Sequence, residues 1–192
     1  MSTNGAYGFY INGQEKATYN HSDSYPSWLG KRIIEVIKNS SLEKLKCVAE
    51  TIELIQPEGK PTNEQIEHCK PFSDFGVSTG ETDDWYCLLL NAQGDLQPYM
   101  ENKLKYMVDN KEFLHNSLFC EWAYIINLDE NKLEVYKGFN KNPKARGRYA
   151  SKTVDFDKEY CGVRLIKTIK LEKLFSLTDQ EQNKLIETLE GK

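Results

Sequence analysis

The chain has 192 residues, with 25 Lys and Arg against 29 Asp and Glu, a formal charge of −4. Hydrophobic residues make up 39% and aromatics 11%, too many for a disordered chain, and no stretch approaches the roughly 20 apolar residues that a bilayer span requires. Dispersed Lys and Arg under a negative net charge argue against nucleic acid as a partner.

Residues 5–11, Gly-Ala-Tyr-Gly-Phe-Tyr-Ile, read as a strand, followed by the hairpin signal Asn12-Gly13 and a return strand through Lys16-Ala17-Thr18-Tyr19. The polar run from Asn20 to Ser27 breaks that strand, and Pro26 fits the first turn of a helix. Leu29, Ile33, Ile34 and Ile37 recur at helical spacing, and Ser40 with Glu43 forms a capping-box pattern for a second helix, whose apolar stripe runs to Ile55. Thr62 with Gln65 predicts a short capped helix to about Cys69, inside a loop-rich insertion at 57–82 suited to a lid. Residues 83–93 resume a helical pattern, and Tyr106-Met107-Val108 reads as a short strand.

The second hairpin runs from Glu121 to Leu128, turns at 129–132 and returns through Leu133-Glu134-Val135-Tyr136. Residues 138–152 read as a Gly-, Asn- and Lys/Arg-rich loop, and 163–169 as a last strand. Thr178 with Glu181 opens a closing helix carrying Leu185, Ile186 and Leu189 on one face. Strands and helices are partly segregated, which predicts one α+β domain over 1–192. Its core is a central antiparallel sheet of two hairpins plus a further strand, packed with helices in an αββα-like arrangement.

Five cysteines stand more than a dozen residues apart, which excludes CxxC arrangements and predicts free thiols in a reducing cytosol. The polar N-terminus lacks the features of a secretory leader, so a cytoplasmic location is expected. His21, His68 and His115 are too scattered to point to a metal site, and no motif points to a cofactor.

The densest set of reactive groups is Tyr19-Asn20-His21-Ser22-Asp23-Ser24-Tyr25-Pro26. An imidazole, a carboxylate, hydroxyls and phenols between a strand and a helix suit acid–base work or ligand binding, although turn and capping chemistry accounts for the Asp, Ser and Pro. Ser2 is a second candidate: once Met1 is removed, its own α-amine, with a pKa near ~8, would serve as general base for its hydroxyl. Glu121-Trp122 is a carboxylate in apolar company, and Thr82-Asp83-Asp84-Trp85 places acids where they favour a helix start. Arg146 and Arg148, in the basic island at 137–152, form the anion-binding candidate.

The opening Gly5-Ala6-Tyr7-Gly8-Phe9, the Asn12-Gly13 turn and the 19–26 motif resemble an uncharacterised family of bacterial, phage and fungal proteins, and residues 121–129 are similar to its second signature. That resemblance brings no catalytic residues with it. The order of short residue, strand, tight turn, return strand, polar loop and two helices more loosely resembles the N-terminal-nucleophile hydrolases, including class II glutamine amidotransferase domains. That likeness implies hydrolysis of an amide or related acyl bond by Ser2, with Asn20 or His21 stabilising or orienting and Asp23 and Tyr25 supporting the loop. The amidotransferases use Cys where this chain has Ser2. The alternative is a non-catalytic phage or bacterial protein that sequesters a small anionic or nucleotide ligand, using Tyr19, Tyr25, Glu121, Trp122, Arg146 and Arg148. A third reading is an interaction protein, possibly a homodimer.

Overall fold

A computed structural model describes residues 3–154 and 159–191. Strand β1 (Gly5–Ile11) turns at Asn12-Gly13 into β2 (Gln14–Asn20). Both turn residues take positive φ, 53° and 72°, the backbone hand that a two-residue hairpin needs. Their N–H groups donate to the Asp129 carboxylate at 2.7 and 2.9 Å, so the turn of the second hairpin holds the turn of the first.

A wide turn, Pro26–Gly30, follows the motif, and its Gly30 N–H reaches back five residues to Tyr25 O. It runs into α1 (Lys31–Lys38), then α2 (Leu42–Thr51). The α2 cap is Ser41, which accepts from Lys44 N at 3.2 Å, one residue later than the Ser40 pattern predicted. The apolar stripe read as helix to Ile55 stops at Thr51 instead. Residues Glu53–Ile55 form β3, paired in parallel with β4 (Tyr106–Val108), because Glu53 N–H finds Lys105 O at 2.8 Å. Between them lie α3 (Asn63–Cys69), with the predicted Thr62/Gln65 capping box, and the short α4 (Trp85–Leu89) and α5 (Gln97–Met100).

The second hairpin is β5 (Trp122–Asn127) and β6 (Lys132–Lys137), followed by β7 (Arg164–Lys170), α6 (Leu171–Phe175) and α7 (Asp179–Glu190), whose Thr178/Glu181 capping box is also as read. The five-stranded sheet runs β2-β1-β5-β6-β7. Three of its interfaces are antiparallel and the fourth is not: β1 pairs with β5 in parallel, Tyr7 facing Tyr124. The sheet is therefore mixed. Parallel neighbours need a crossover, and residues 21–121 supply it.

Alternation along the strands gives the sheet two different faces. Tyr7, Phe9, Ile11, Tyr124, Ile126, Leu133 and Val135 point into the main core with the helices. Ala6, Ala17, Ala123, Ile125 and Tyr136 point the other way, under Leu114, Tyr149 and Val163. Among the described residues one central sheet carries helices on one face and turns and loops on the other, in place of the two stacked sheets of an αββα sandwich. All five cysteines are free thiols; four are buried and Cys47 is exposed. Among the described residues no helix is long and apolar enough to cross a membrane.

Candidate functional site

A cavity of about 240 Å³ lies where β2 meets the segment following the 57–82 insertion. Tyr7 reaches it from β1, Thr18 and Tyr19 from β2, Trp85 and Tyr86 from α4, and Tyr99 from α5, with Asn110 and Pro57 at other sides. Tyr7 Oη donates to Ala92 O at 3.1 Å and accepts from Gly94 N at 3.0 Å; burial pushes its pKa far up, so it stays a neutral phenol. Tyr99 Oη donates to Tyr106 O at 3.0 Å and is likewise raised by burial. Tyr19 Oη meets His21 Nδ1 at 3.2 Å, and burial raises its pKa as well.

Of the described lining residues only Asp84 carries a formal charge. It caps α4, accepting from Tyr86 N, Ser78 Oγ and Thr79 Oγ1 at 2.9 Å each. Burial alone would raise its pKa, but these hydrogen bonds outweigh burial and hold it below the usual carboxylate value. The buried Trp85 indole Nε1 has no hydrogen-bond partner among the described residues. An unsatisfied buried donor costs roughly 1–3 kcal/mol.

The 19–26 motif divides its groups. Asn20 is buried, and its amide donates to Ser24 Oγ at 2.8 Å and to Ser22 O, which uses both of its N–H bonds. Its Oδ1 lies 2.7 Å from where a Cβ on Gly94 would stand, and Gly94 has φ +71°. Asn20 thus pins the loop to the 92–94 turn. Asp23 is exposed at φ 55°, and its carbonyl accepts from Leu29 N; its neighbours Trp28 and Arg32 share a small separate cleft with it. His21 donates its backbone N–H to Gln93 Oε1 at 3.1 Å and stands edge-on to Tyr86, at the rim of the tyrosine-lined cavity.

Tyr25, Glu121 and Trp122 do come together, in a groove of about 500 Å³ shared with Lys137, Phe139 and Glu190. Burial raises the Glu121 carboxyl there, and Lys137 Nζ sits 5.0 Å over the Trp122 ring. Arg148 is elsewhere. Its guanidinium is paired with the buried Glu134 and stacked 4.0 Å over Tyr10, on the loop-covered face of the sheet. Arg146 is exposed, and its carbonyl accepts from Leu165 N at 2.7 Å. Lys141 of the same island pairs with Glu159. Ser2 lies outside the described residues, but Thr3 is buried and its carbonyl accepts from Ser24 N at 3.0 Å.

Sequence reasoning missed Tyr7, Trp85, Tyr86 and Tyr99 as a set. Strand alternation alone places Tyr7 on the helix-covered face, but its meeting with residues 85–99 is set by tertiary packing. Among the described residues no three His, Cys, Asp or Glu side chains converge as metal ligands. Comparison with protein-family models, curated proteins and solved structures finds no match.

Proposed function

We propose that this protein binds a small, ring-bearing ligand, uncharged or cationic, in the tyrosine-lined cavity beside β2. The observation that carries this reading is the aromatic share of the wall, Tyr7, Tyr19, Trp85, Tyr86 and Tyr99, with the buried indole N–H of Trp85 lacking a partner among the described residues. Pockets for drug-sized ligands occupy about 300–1,000 Å³, so a cavity of about 240 Å³ suits a fragment of one or two rings. The rings of Trp85, Tyr86 and Tyr99 offer stacking surface, and an acceptor on the ligand would take the indole proton. Among the described residues no basic side chain lines the cavity, and Asp84 favours its ionised form, which disfavours an anion there. The Pro57 edge and the Asp84 cap tie the site to the 57–82 insertion.

Nucleobases, nucleosides and aromatic amines are the probes of choice, screened by thermal shift and intrinsic tryptophan fluorescence. Trp85→Phe keeps a ring and removes the donor. It is expected to weaken the best binder about tenfold, equivalent to one hydrogen bond of about 1.4 kcal/mol. A panel in which nothing binds, or equal affinity in the variant, rejects the reading.

Amide hydrolysis by Ser2 is a second reading, supported by the Ser24 N to Thr3 O bond that ties the entry of β1 to the 19–25 loop. Asn20, whose amide hydrogens are already used within that loop, is an unsuitable oxyanion donor as it stands. The mechanism requires a free Ser2 amine. Intact mass of the active protein should then show Met1 removed, and retained Met1 ends this reading.

A further inference from the structure

We propose that the free edge of β7, with the facing side of α7, is a docking groove for an acidic, extended peptide segment of a partner protein. β7 ends the five-stranded sheet. Its Leu165 N–H is taken by Arg146 O, but from Ile166 to Lys170 no backbone hydrogen bond of the described residues leaves the strand except towards β6. The outward N–H and C=O groups there are open to another strand.

A groove of about 620 Å³ runs beside this edge. Its apolar surface comes from Ile169, Leu177 and Leu185. Around it stand Lys167, Lys170, Lys173 and Lys184, all exposed. None of the four is in an ion pair among the described residues. The one carboxylate among the described residues lining the groove, Glu181, is engaged by Thr178 in the α7 capping box. In a chain of net charge −4, four lysines against one carboxylate make this a concentrated positive site.

The charge pattern selects the occupant. A second copy pairing edge to edge would set lysine rows against each other, the arrangement by which natural edge strands resist self-association. A nucleic acid would meet the ammonium groups but has nothing to match the alternating carbonyls of a strand edge. A peptide with acidic residues on one side and apolar ones on the other satisfies the backbone, the lysines and the apolar floor together.

The test uses the whole protein and a fluorescent peptide of four Glu-Val repeats, followed by anisotropy at low salt. Saturable binding is expected, with amide exchange slowed within residues 166–170. Lys167→Glu with Lys184→Glu should weaken binding about tenfold by reversing two charge contacts. Because that double variant also alters the protein, the same peptide N-methylated at alternate residues is tested on the unaltered chain and should likewise lose at least about tenfold. No saturable binding, or undiminished binding of the N-methylated peptide, overturns the proposal. So does displacement by an equal concentration of oligodeoxythymidylate with no slowing of exchange in β7, which would mark a general polyanion site.

Discussion

Gly8→Ala is expected to destabilise the protein by about 3–5 kcal/mol, against a total for such domains of roughly 5–15 kcal/mol. Gly8 sits in the middle of β1, opposite Ala17 on one side and Ile125 on the other. Its φ of +153° is one that side chains rarely adopt, and a Cβ there would press into the Lys16 carbonyl oxygen, which belongs to the backbone of β2 and has no rotamer to yield. The strand must move, and both neighbours with it. Gly13→Ala is the matched control: φ is +72° there, but nothing stands within 4 Å, so only the backbone conformation is penalised, by about 1 kcal/mol. Urea unfolding of the two variants separates the causes, and equal losses would show that the carbonyl clash is relieved at no cost.

Glu134→Ala carries the second large effect. The Glu134 carboxylate is buried, with Tyr136 Oη donating to it at 2.7 Å, Asn127 Nδ2 at 2.9 Å, Lys132 Nζ at 3.3 Å and the Arg148 guanidinium paired with it. Removing it leaves Arg148 without its counter-charge in a half-buried setting, a loss of about 3–5 kcal/mol. Replacing Glu134 and Arg148 together by leucine should recover much of that, since it leaves no orphan charge. Burial works to raise the Glu134 pKa, but the bonds from Asn127 and Tyr136 and the charge of Arg148 prevail, and its pKa is lowered. A carboxylate lowered on folding contributes stability that is fully present above the ordinary glutamate value of 4.5 and is lost as pH falls through the lower folded value. The urea midpoint should therefore decline more steeply below about pH 4.5 in the natural protein than in the doubly substituted one. Parallel pH profiles would remove Glu134 from the account of acid unfolding.

Local signals in the sequence were reliable where one short segment decides the outcome. Asn12-Gly13 set its turn, and the Thr62/Gln65 and Thr178/Glu181 boxes closed as their spacing required. Signals failed where a distant partner decides. Ile52 and Ile55 continue a helical stripe, yet the Lys105 carbonyl draws the chain into a strand at Glu53. Within the basic island nothing local shows that Glu134 and Glu159 take Arg148 and Lys141, while Arg146 stays exposed. Four lysines without an ion pair among the described residues, at 167, 170, 173 and 184, are spread over a strand and two helices, so no window of sequence gathers them. In the 19–26 motif the capping side of the chemistry is visible in Asn20 and Ser24, whereas Tyr19 and His21 acquire a cavity only from residues 84–99.

The parallel seam between β1 and β5 has a kinetic meaning. Tyr7 meets Thr18 across 11 residues but meets Tyr124 across 117. Closing the longer loop costs roughly 2 kcal/mol more in chain entropy than closing the shorter. Each hairpin can form early from its own turn, while their joining waits on a collapse that organises the whole segment between them. The cavity, walled partly by β1 and β2 and partly by that intervening segment, is complete only once this long-range seam has closed.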